Sequence, residues 1–140
     1  MSILWKSPFT LEEANAFNAN TAVSHLGITI TEIGDDFIKA TMPVDERTKQ
    51  PMGLLHGGAS VLLAETLGSL AAYMAATPGS KCVGLEVNAN HLRAVTKGEV
   101  IATARAVHVG KRTQVWSIVI QTPEQKDVCI SRLTVAVLDT

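Results

Sequence analysis

A single carboxylate, Glu65, lies in a long stretch of otherwise uncharged sequence and is the first candidate for chemistry. It is the only formally charged residue between Gln50 and Ser80. Most Glu side chains on helices are solvated. A helix here, however, would put Glu65 on a face of small or apolar residues, either under another chain or beside a ligand pocket, where it could attack a substrate or accept a proton. That face comprises Gly58, Val61, Leu62, Gly68, Ser69, Ala72 and Ala76.

The sequence His56-Gly57-Gly58 is the second candidate, because it stands where this helix would begin. A glycine-rich turn before a helix is common, but two glycines together let a ligand approach the backbone closely. The free N–H groups and the positive end of the helix could then polarise a carbonyl oxygen, as an oxyanion site does. Gln50, in the preceding loop, adds a neutral amide donor, although a loop Gln taken alone is usually solvated.

Other reactive residue types fit no familiar catalytic or metal pattern. The segment from Gly58 to Leu62 lacks the closing glycine and the preceding buried strand of a nucleophile elbow, so we do not expect Ser60 to be a nucleophile. Cys82 and Cys129 form no C-x-x-C pair, and we expect them to pack as small hydrophobic residues. The four histidines show no metal-ligand spacing, so we expect no metal site.

Basic residues near predicted strand ends form a third candidate group. A single charge at a hairpin end is usually only solvated. A glycine beside two cations in a tight turn offers backbone N–H groups and positive charge together, which suits a phosphate. We therefore expect the following residues to cluster around an anion: His91, Arg93, His108, Gly110, Lys111 and Arg112.

Helices must position these residues. Gly57-Gly58 would open the central helix and Pro78-Gly79 would close it, which predicts about 19 helical residues over roughly 28 Å. A shorter amphipathic helix should begin after Thr10, which forms a T-x-x-E capping box with Glu13. Residues 27–33 and 37–44 predict a hairpin between the two helices.

Four strands with hydrophobic alternation follow the central helix. Short connections between them predict an antiparallel meander of consecutive strands. The fold class is therefore α+β, with one long helix along the concave face of a strongly twisted antiparallel sheet of about six strands. Alternation predicts that one face holds Val83, Leu85, Val87, Ala89 and His91 of the first of these strands, and Val100, Ala102, Ala104, Ala106 and His108 of the second.

Length and composition restrict the classes of function. The 140 residues suit one domain, 1–140, and a net charge of −1 argues against non-specific nucleic-acid binding. With 46% hydrophobic residues, the chain suits self-association better than disorder. Polar residues and glycines in the apolar stretch argue against a membrane span. Two cysteines far apart and no signal-peptide pattern predict a cytoplasmic protein.

From Leu54 to Glu65 the sequence LLHGGASVLLAE strongly resembles the hot-dog-fold acyl-CoA thioesterases of the hydroxybenzoyl-CoA and phenylacetate-pathway type. The segments 42–51, 83–93 and 108–112 are similar to the bacterial 1,4-dihydroxy-2-naphthoyl-CoA thioesterase branch, so the resemblance covers nearly the whole chain. It implies a helix wrapped by an antiparallel sheet, dimers that pair into tetramers, active sites between subunits and a role in menaquinone biosynthesis.

The resemblance also implies a role for each candidate residue. Glu65 would be the nucleophile or general base of one subunit, facing Gln50, His56 and the Gly57 N–H of its neighbour. Ser69 would help to hold the attacking water or the intermediate. No metal or redox cofactor is implied, because CoA is part of the substrate. CoA would lie along Gly84, His91, Arg93, His108, Gly110, Lys111 and Arg112, with its phosphates near the last two.

Three functions other than acyl-CoA hydrolysis are conceivable for this fold. A hydratase on this fold would be expected to carry an Asp and His pair close together on the helix, and no His follows His56 there. A non-catalytic acyl-CoA sensor would normally carry a DNA-binding element, for which no residues remain. A proofreading thioesterase that acts on acyl or aryl carrier protein would use the same residues, so CoA and carrier protein both stay open as carriers of the acyl group.

Overall fold

The structure is a computed structural model, and it describes residues 4–139. Three helices and six strands make up the described part of the chain, in the order α, α, β, β, α, β, β, β, β. Their bounds are α1 Leu11–Phe17, α2 Ala22–His25, β1 Thr29–Ile33, β2 Phe37–Pro43, α3 Gly57–Ala75, β3 Lys81–His91, β4 Glu99–Val109, β5 Thr113–Gln121 and β6 Asp127–Leu138.

The six strands form one antiparallel sheet in the order β1-β2-β4-β5-β6-β3, and α3 packs across one face of it. Strand β5 shows why this face is buried: Gln114, Trp116, Ile118 and Ile120 alternate with half-exposed residues and have no solvent exposure. The predicted hot-dog arrangement, a long central helix against a twisted antiparallel sheet, is confirmed. The short α2 was not anticipated.

Helix α3 has the predicted length of 19 residues. His56 caps its first turn, and ten of its residues are buried. Gly68 is needed where the helix meets the sheet, because a Cβ there would come within 2.7 Å of Leu133 Cδ2. By length and hydropathy α3 could cross a membrane, but 56% of that apolar window is buried inside the fold, as expected of the core helix of a globular domain.

The helix α1 begins after Thr10, as predicted. The Thr10 hydroxyl accepts a hydrogen bond from the Glu13 N–H at 3.1 Å, and the Glu13 carboxylate accepts one from the Thr10 N–H at 3.0 Å. Ahead of α1, the Trp5 indole stacks on Trp116 with ring centroids 5.9 Å apart. This stack holds the N-terminal segment against the sheet, and α1 is fixed to β1 by the Asn15 side chain, which donates to Ile30 O at 3.0 Å and accepts from the Ile30 N–H at 2.8 Å.

The predicted meander of four consecutive strands is wrong in one respect. Strand β3 pairs with β6 at the edge of the sheet, and β4 pairs with β2 and β5. Hydrophobic alternation reports which face of a strand is buried but not which strand lies beside it, so the pattern could not exclude this crossover. As a result, β3 has a neighbour on one side only and presents a free edge 11 residues long.

The predicted facing of residues in β3 and β4 is also wrong, because each strand contains a β-bulge. In β3 the bulge at Leu85 lets Gly84 and Val87 both face the helix, and Leu85 itself is 60% exposed. In β4 the bulge follows Ala106, so that His108 lies opposite Val115 on the outer face of the sheet. A bulge adds one residue and reverses the alternation beyond it.

Candidate active site

An open pocket of about 380 Å³ lies at the N-terminal end of α3. It brings together two predicted carbonyl-polarising donors, Gln50 and Gly57, and two residues of the predicted anion cluster, His91 and Arg93. The pocket is completed by Leu54, Leu55, Ser60, Leu92, Ala94 and Val128. Its walls therefore come from the loop before α3, the first turn of α3, the end of β3 with the segment that follows, and the start of β6.

Gly57 contributes a backbone donor to this pocket. The N–H groups of Gly58, Ala59 and Ser60 are bonded to His56, whereas that of Gly57 meets no acceptor within residues 4–139. His91 covers the place that a side chain would occupy, because a Cβ at residue 57 would lie 2.9 Å from the imidazole Nε2. Glycine here thus leaves one free N–H beside an imidazole, at the positive end of a helix.

Gln50 contributes a second donor, and its orientation is set by the loop. Its side-chain oxygen accepts a hydrogen bond from the Met52 N–H. Its backbone is held as well, because the Gln50 N–H donates to Leu54 O at 2.8 Å and its carbonyl accepts from the Gly53 N–H at 2.9 Å. With the oxygen engaged, the Nε2 group of Gln50 remains to donate two hydrogen bonds toward a ligand.

His56 is the N-cap of α3 and is not among the residues that line this pocket. Its Nδ1 accepts a hydrogen bond from the Gly58 N–H at 2.7 Å. With Nδ1 accepting, the other ring nitrogen, Nε2, is left as the possible donor. The structure therefore gives His56 a positioning role on the helix, with an Nε2–H still free to donate.

Glu65 lies two turns further along α3 and is half-buried. Its carboxylate lies against the backbone of Gly84 in β3, so closely that a Cβ at residue 84 would overlap Oε2. The resemblance placed Gly84 beside CoA, whereas here its backbone contacts the Glu65 carboxylate. This contact places Glu65 at the free edge of the sheet.

One chain does not bring Glu65 together with Gln50 and Gly57. Eight residues separate Glu65 from Gly57 along α3, which corresponds to roughly 12 Å. Ser69, one turn beyond Glu65, lines a different pocket between α1, α2, α3 and β3. The candidate residues within one chain thus fall into two groups, with the donors at the start of α3 and the carboxylate with Ser69 further along it.

The expected cluster of cations is not found within one chain. Arg93 follows β3 at the end of the sheet where His91 pairs with Cys129. Lys111 and Arg112 lie at the opposite end, where the Val137 N–H donates to Arg112 O at 2.8 Å. The eight residues between Cys129 and Val137 span about 27 Å of strand. His108 and Gly110 do lie together, since a Cβ at Gly110 would be 2.6 Å from the His108 Nε2.

The pocket beside Ser69 has a volume of about 310 Å³ and was not anticipated from the sequence. Thr66, Ser69, Leu70 and Tyr73 line one side of it, at the 3- and 4-residue spacing of a helix face. Phe9, Phe17, Asn18, Val23 and Cys82 complete the lining. Helical spacing could have indicated the α3 side, but nothing in the pattern places α1 against it.

The two cysteines pack as small hydrophobic residues, as predicted. Cys82 is half-buried and Cys129 is buried, and neither forms a disulfide. Burial raises the pKa of both thiols above its ordinary value. Within residues 4–139, no group of three or more His, Cys, Asp or Glu side chains is placed to hold a metal ion.

Comparison with known proteins identifies the family. The model of the Thioesterase superfamily matches residues 52–129, which include Gly57, Glu65 and Ser69 of α3. The chain is 50% identical to a protein named proofreading thioesterase EntH from Cronobacter sakazakii, over 97% of this chain and 99% of that one. It is also 50% identical to the 1,4-dihydroxy-2-naphthoyl-CoA hydrolase of Escherichia coli, over 97% of this chain and 100% of the other.

Solved structures give the same result. The crystal structure of a thioesterase from Haemophilus influenzae superposes with a TM-score of 0.95 at 55% identity, covering 97% of this chain and 95% of that one. A mutant thioesterase from Pseudomonas aeruginosa superposes with a TM-score of 0.95 at 49% identity, covering 98% and 99%. The chain therefore belongs to the thioesterase superfamily and is a thioester hydrolase.

Proposed function

We propose that this thioester hydrolase cleaves aromatic or medium-chain acyl-CoA to the free acid and CoA. The observation that carries the proposal is the pair of unengaged donors in one pocket, the Gly57 N–H and the Gln50 amide. A thioester carbonyl bound between them would be polarised in the ground state. Its oxygen would be held more strongly as negative charge develops in the transition state.

Glu65 supplies the other half of the reaction. Its carboxylate either attacks the thioester carbon to form an anhydride that water then hydrolyses, or takes a proton from the attacking water. In both routes the C–S bond breaks and CoA leaves as the thiol: its sulfur takes the proton from the Glu65 carboxyl in the general-base route and from solvent water in the anhydride route. Ser69, one turn away, holds the water or the intermediate. These steps need no metal or redox cofactor.

The separation of Glu65 from the donors supports a site shared between two chains. A free strand edge 11 residues long, with Val83 45% and Leu85 60% exposed, is an unfavourable surface for an isolated chain. A second copy would cover it by pairing its own β3 antiparallel across a two-fold axis. In this pairing Gly84 of one chain would lie opposite the partner's His91. Glu65 lies beside Gly84 in its own chain, and the partner's Gly57 lies beside the partner's His91, so Glu65 would face that Gly57.

The same pairing would also reunite the two groups of cations. The partner's Arg93 lies two residues after the partner's His91, which would face Gly84. Gly84 is at the end of the sheet that carries Lys111 and Arg112, so all three cations would lie at that end. Lys111 and Arg112 immediately precede β5, which lies three strand spacings from the partner's β3, or about 14 Å. CoA could then extend from the shared pocket along Arg93 toward this turn. Two such dimers would pair to form the tetramer.

The relatives favour two carriers of the acyl group. One relative is named for 1,4-dihydroxy-2-naphthoyl-CoA, which supports an aryl-CoA substrate and a role in menaquinone biosynthesis. Another is named a proofreading thioesterase, which supports the alternative that the chain removes acyl or aryl groups from a carrier protein. Both alternatives use the same catalytic residues.

Initial rates on a panel of thioesters test this function. Aromatic and straight-chain acyl-CoAs would be compared with the same acyl groups on a carrier protein, at equal concentration and pH. The proposal predicts a higher kcat/KM for at least one aromatic or medium-chain acyl-CoA than for its carrier-protein counterpart. A consistent preference for the carrier protein would establish the alternative. Loss of turnover in Glu65→Gln would assign the measured rate to this site.

A further inference from the structure

We propose that Phe9 and Phe17, together with Tyr73 of α3, form an aromatic wall that selects flat, ring-bearing acyl groups over straight-chain ones. The inference rests on the proposed function, since it assigns the acyl half of that substrate to the pocket beside Ser69. It adds two specificity residues from the N-terminal segment. Neither of them belongs to the catalytic groups on α3.

The three rings form a continuous stack. The centroids of Phe9 and Tyr73 are 5.5 Å apart with their planes at 7°, and those of Phe9 and Phe17 are 6.1 Å apart with their planes at 29°. Both pairs lie within the range of favourable offset stacking. Phe9 is thereby held between the other two rings, so the wall is ordered before any ligand binds.

The pocket begins where the reaction would leave the acyl group. Thr66 is adjacent to Glu65 in the chain and Ser69 is one turn beyond it, and both line this pocket. On the opposite side, Cys82 lies two residues before Gly84, whose backbone supports the Glu65 carboxylate. An acyl carbon held at Glu65 therefore has this pocket as its adjoining apolar space, leading toward Tyr73.

Two of the rings are accessible to a ligand. Phe17 is 73% and Tyr73 45% exposed, although both border a pocket of about 310 Å³. Asn18, Thr66 and Ser69 are polar members of the lining, and among residues 4–139 no formally charged side chain borders the pocket. A straight acyl chain would gain only from burial of its apolar surface, whereas a flat ring would add aromatic contacts.

Matched substrates separate ring recognition from apolar burial. Benzoyl-CoA and heptanoyl-CoA carry acyl groups with the same number of carbon atoms. Phe9→Leu and Phe17→Leu keep an apolar side chain and remove one ring each. Leu11→Ala serves as the control, because Leu11 is an exposed α1 residue that does not line the pocket. We expect each Phe variant to lower kcat/KM for benzoyl-CoA by about three- to tenfold and to leave heptanoyl-CoA within about twofold.

Equal losses for both substrates, or no loss for either, would overturn the aromatic wall. A second measurement keeps this inference separate from the proposed function. Saturation-transfer NMR would compare benzoate with heptanoate on wild-type protein and on Phe17→Leu, which changes a largely exposed residue and should not affect folding. The aromatic wall is supported if saturation transfer to benzoate exceeds that to heptanoate on the wild-type protein and this preference decreases in Phe17→Leu. Absent turnover on every acyl-CoA would refute the proposed function, and equal transfer to both acids would refute the wall.

Discussion

The Glu65 carboxylate and the Gly84 backbone are in contact across the boundary between α3 and β3. A Cβ at residue 84 would overlap the carboxylate oxygen Oε2, so only glycine leaves room for this rotamer of Glu65. The β-bulge at the next residue, Leu85, turns Gly84 toward the helix. A local irregularity in an edge strand therefore positions the one carboxylate of an otherwise uncharged helix.

Gly84→Ala should displace the Glu65 carboxylate. We expect kcat to fall by about a hundredfold, the cost of misplacing a reacting group by about 1 Å. The double variant Gly84→Ala, Glu65→Asp shortens the acid by one methylene and should recover part of that loss. Initial rates on one acyl-CoA, with thermal unfolding as the control, check both variants. An unchanged kcat in Gly84→Ala would show that the contact does not position the reactive carboxylate.

Glu65→Gln keeps the shape of the side chain and removes its charge. It should lower kcat by at least roughly a hundredfold with little effect on thermal unfolding, because a nucleophile or general base is lost but no packing is. Glu86→Gln is the matched control, since Glu86 is an exposed carboxylate in β3 near Gly84. If both variants turned over at the wild-type rate, Glu65 would not carry the chemistry.

The central helix and the α+β class could be predicted because their signals are local. Glycines and prolines bounded α3, Thr10 and Glu13 marked the start of α1, and alternation marked the strands. The position of β3 at the sheet edge depends on long-range pairing, which local patterns do not encode. The bulge at Leu85 could not be predicted either, because the alternation of hydrophobic and polar residues in the sequence continues unbroken past residue 85.

In the candidate site, too, local features could be predicted from the sequence and long-range arrangements could not. Glu65 and Gly57 were found from charge and glycine content within one segment. Arg93 and Lys111 were expected together because each follows a predicted strand end, yet β3 and β4 run in opposite directions, so the residues that follow them lie at opposite ends of the sheet. The aromatic pocket could not be predicted, because Phe17 and Tyr73 are far apart in sequence and border the same pocket only in the folded chain.

The turn that carries Lys111 and Arg112 should bind the nucleotide end of CoA. Reversing both residues to Glu should raise KM for acyl-CoA by roughly tenfold and largely spare kcat, because exposed charge contacts are modest and lie far from the bond that breaks. A pantetheine thioester without the nucleotide is the control substrate and should be affected little. The KM difference should shrink at high salt. Equal effects on both substrates would assign the turn a purely structural role.

Cys82 reports on occupancy of the aromatic pocket. Burial raises the pKa of its thiol, so little thiolate is present at neutral pH, and alkylation by iodoacetamide should accelerate as the pH rises beyond the ordinary thiol range. The variant Cys129→Ala isolates the reaction at Cys82. Benzoate should slow alkylation if it fills the pocket that Cys82 lines. Fast alkylation at pH 7, unaffected by benzoate, would contradict this description of the pocket.

Subunit mixing tests the shared site most directly. One parent carries Glu65→Gln; the other carries Gln50→Ala and His56→Asn, in which Asn retains an acceptor for the helix cap. Each hybrid dimer then contains one intact site and one doubly altered site. After equimolar exchange of subunits, confirmed by native mass spectrometry, the mixture should regain about a quarter of wild-type activity, since half of the dimers are hybrids with one active site in two. Activity that stayed at the level of the parents despite complete exchange would place the whole site within one chain.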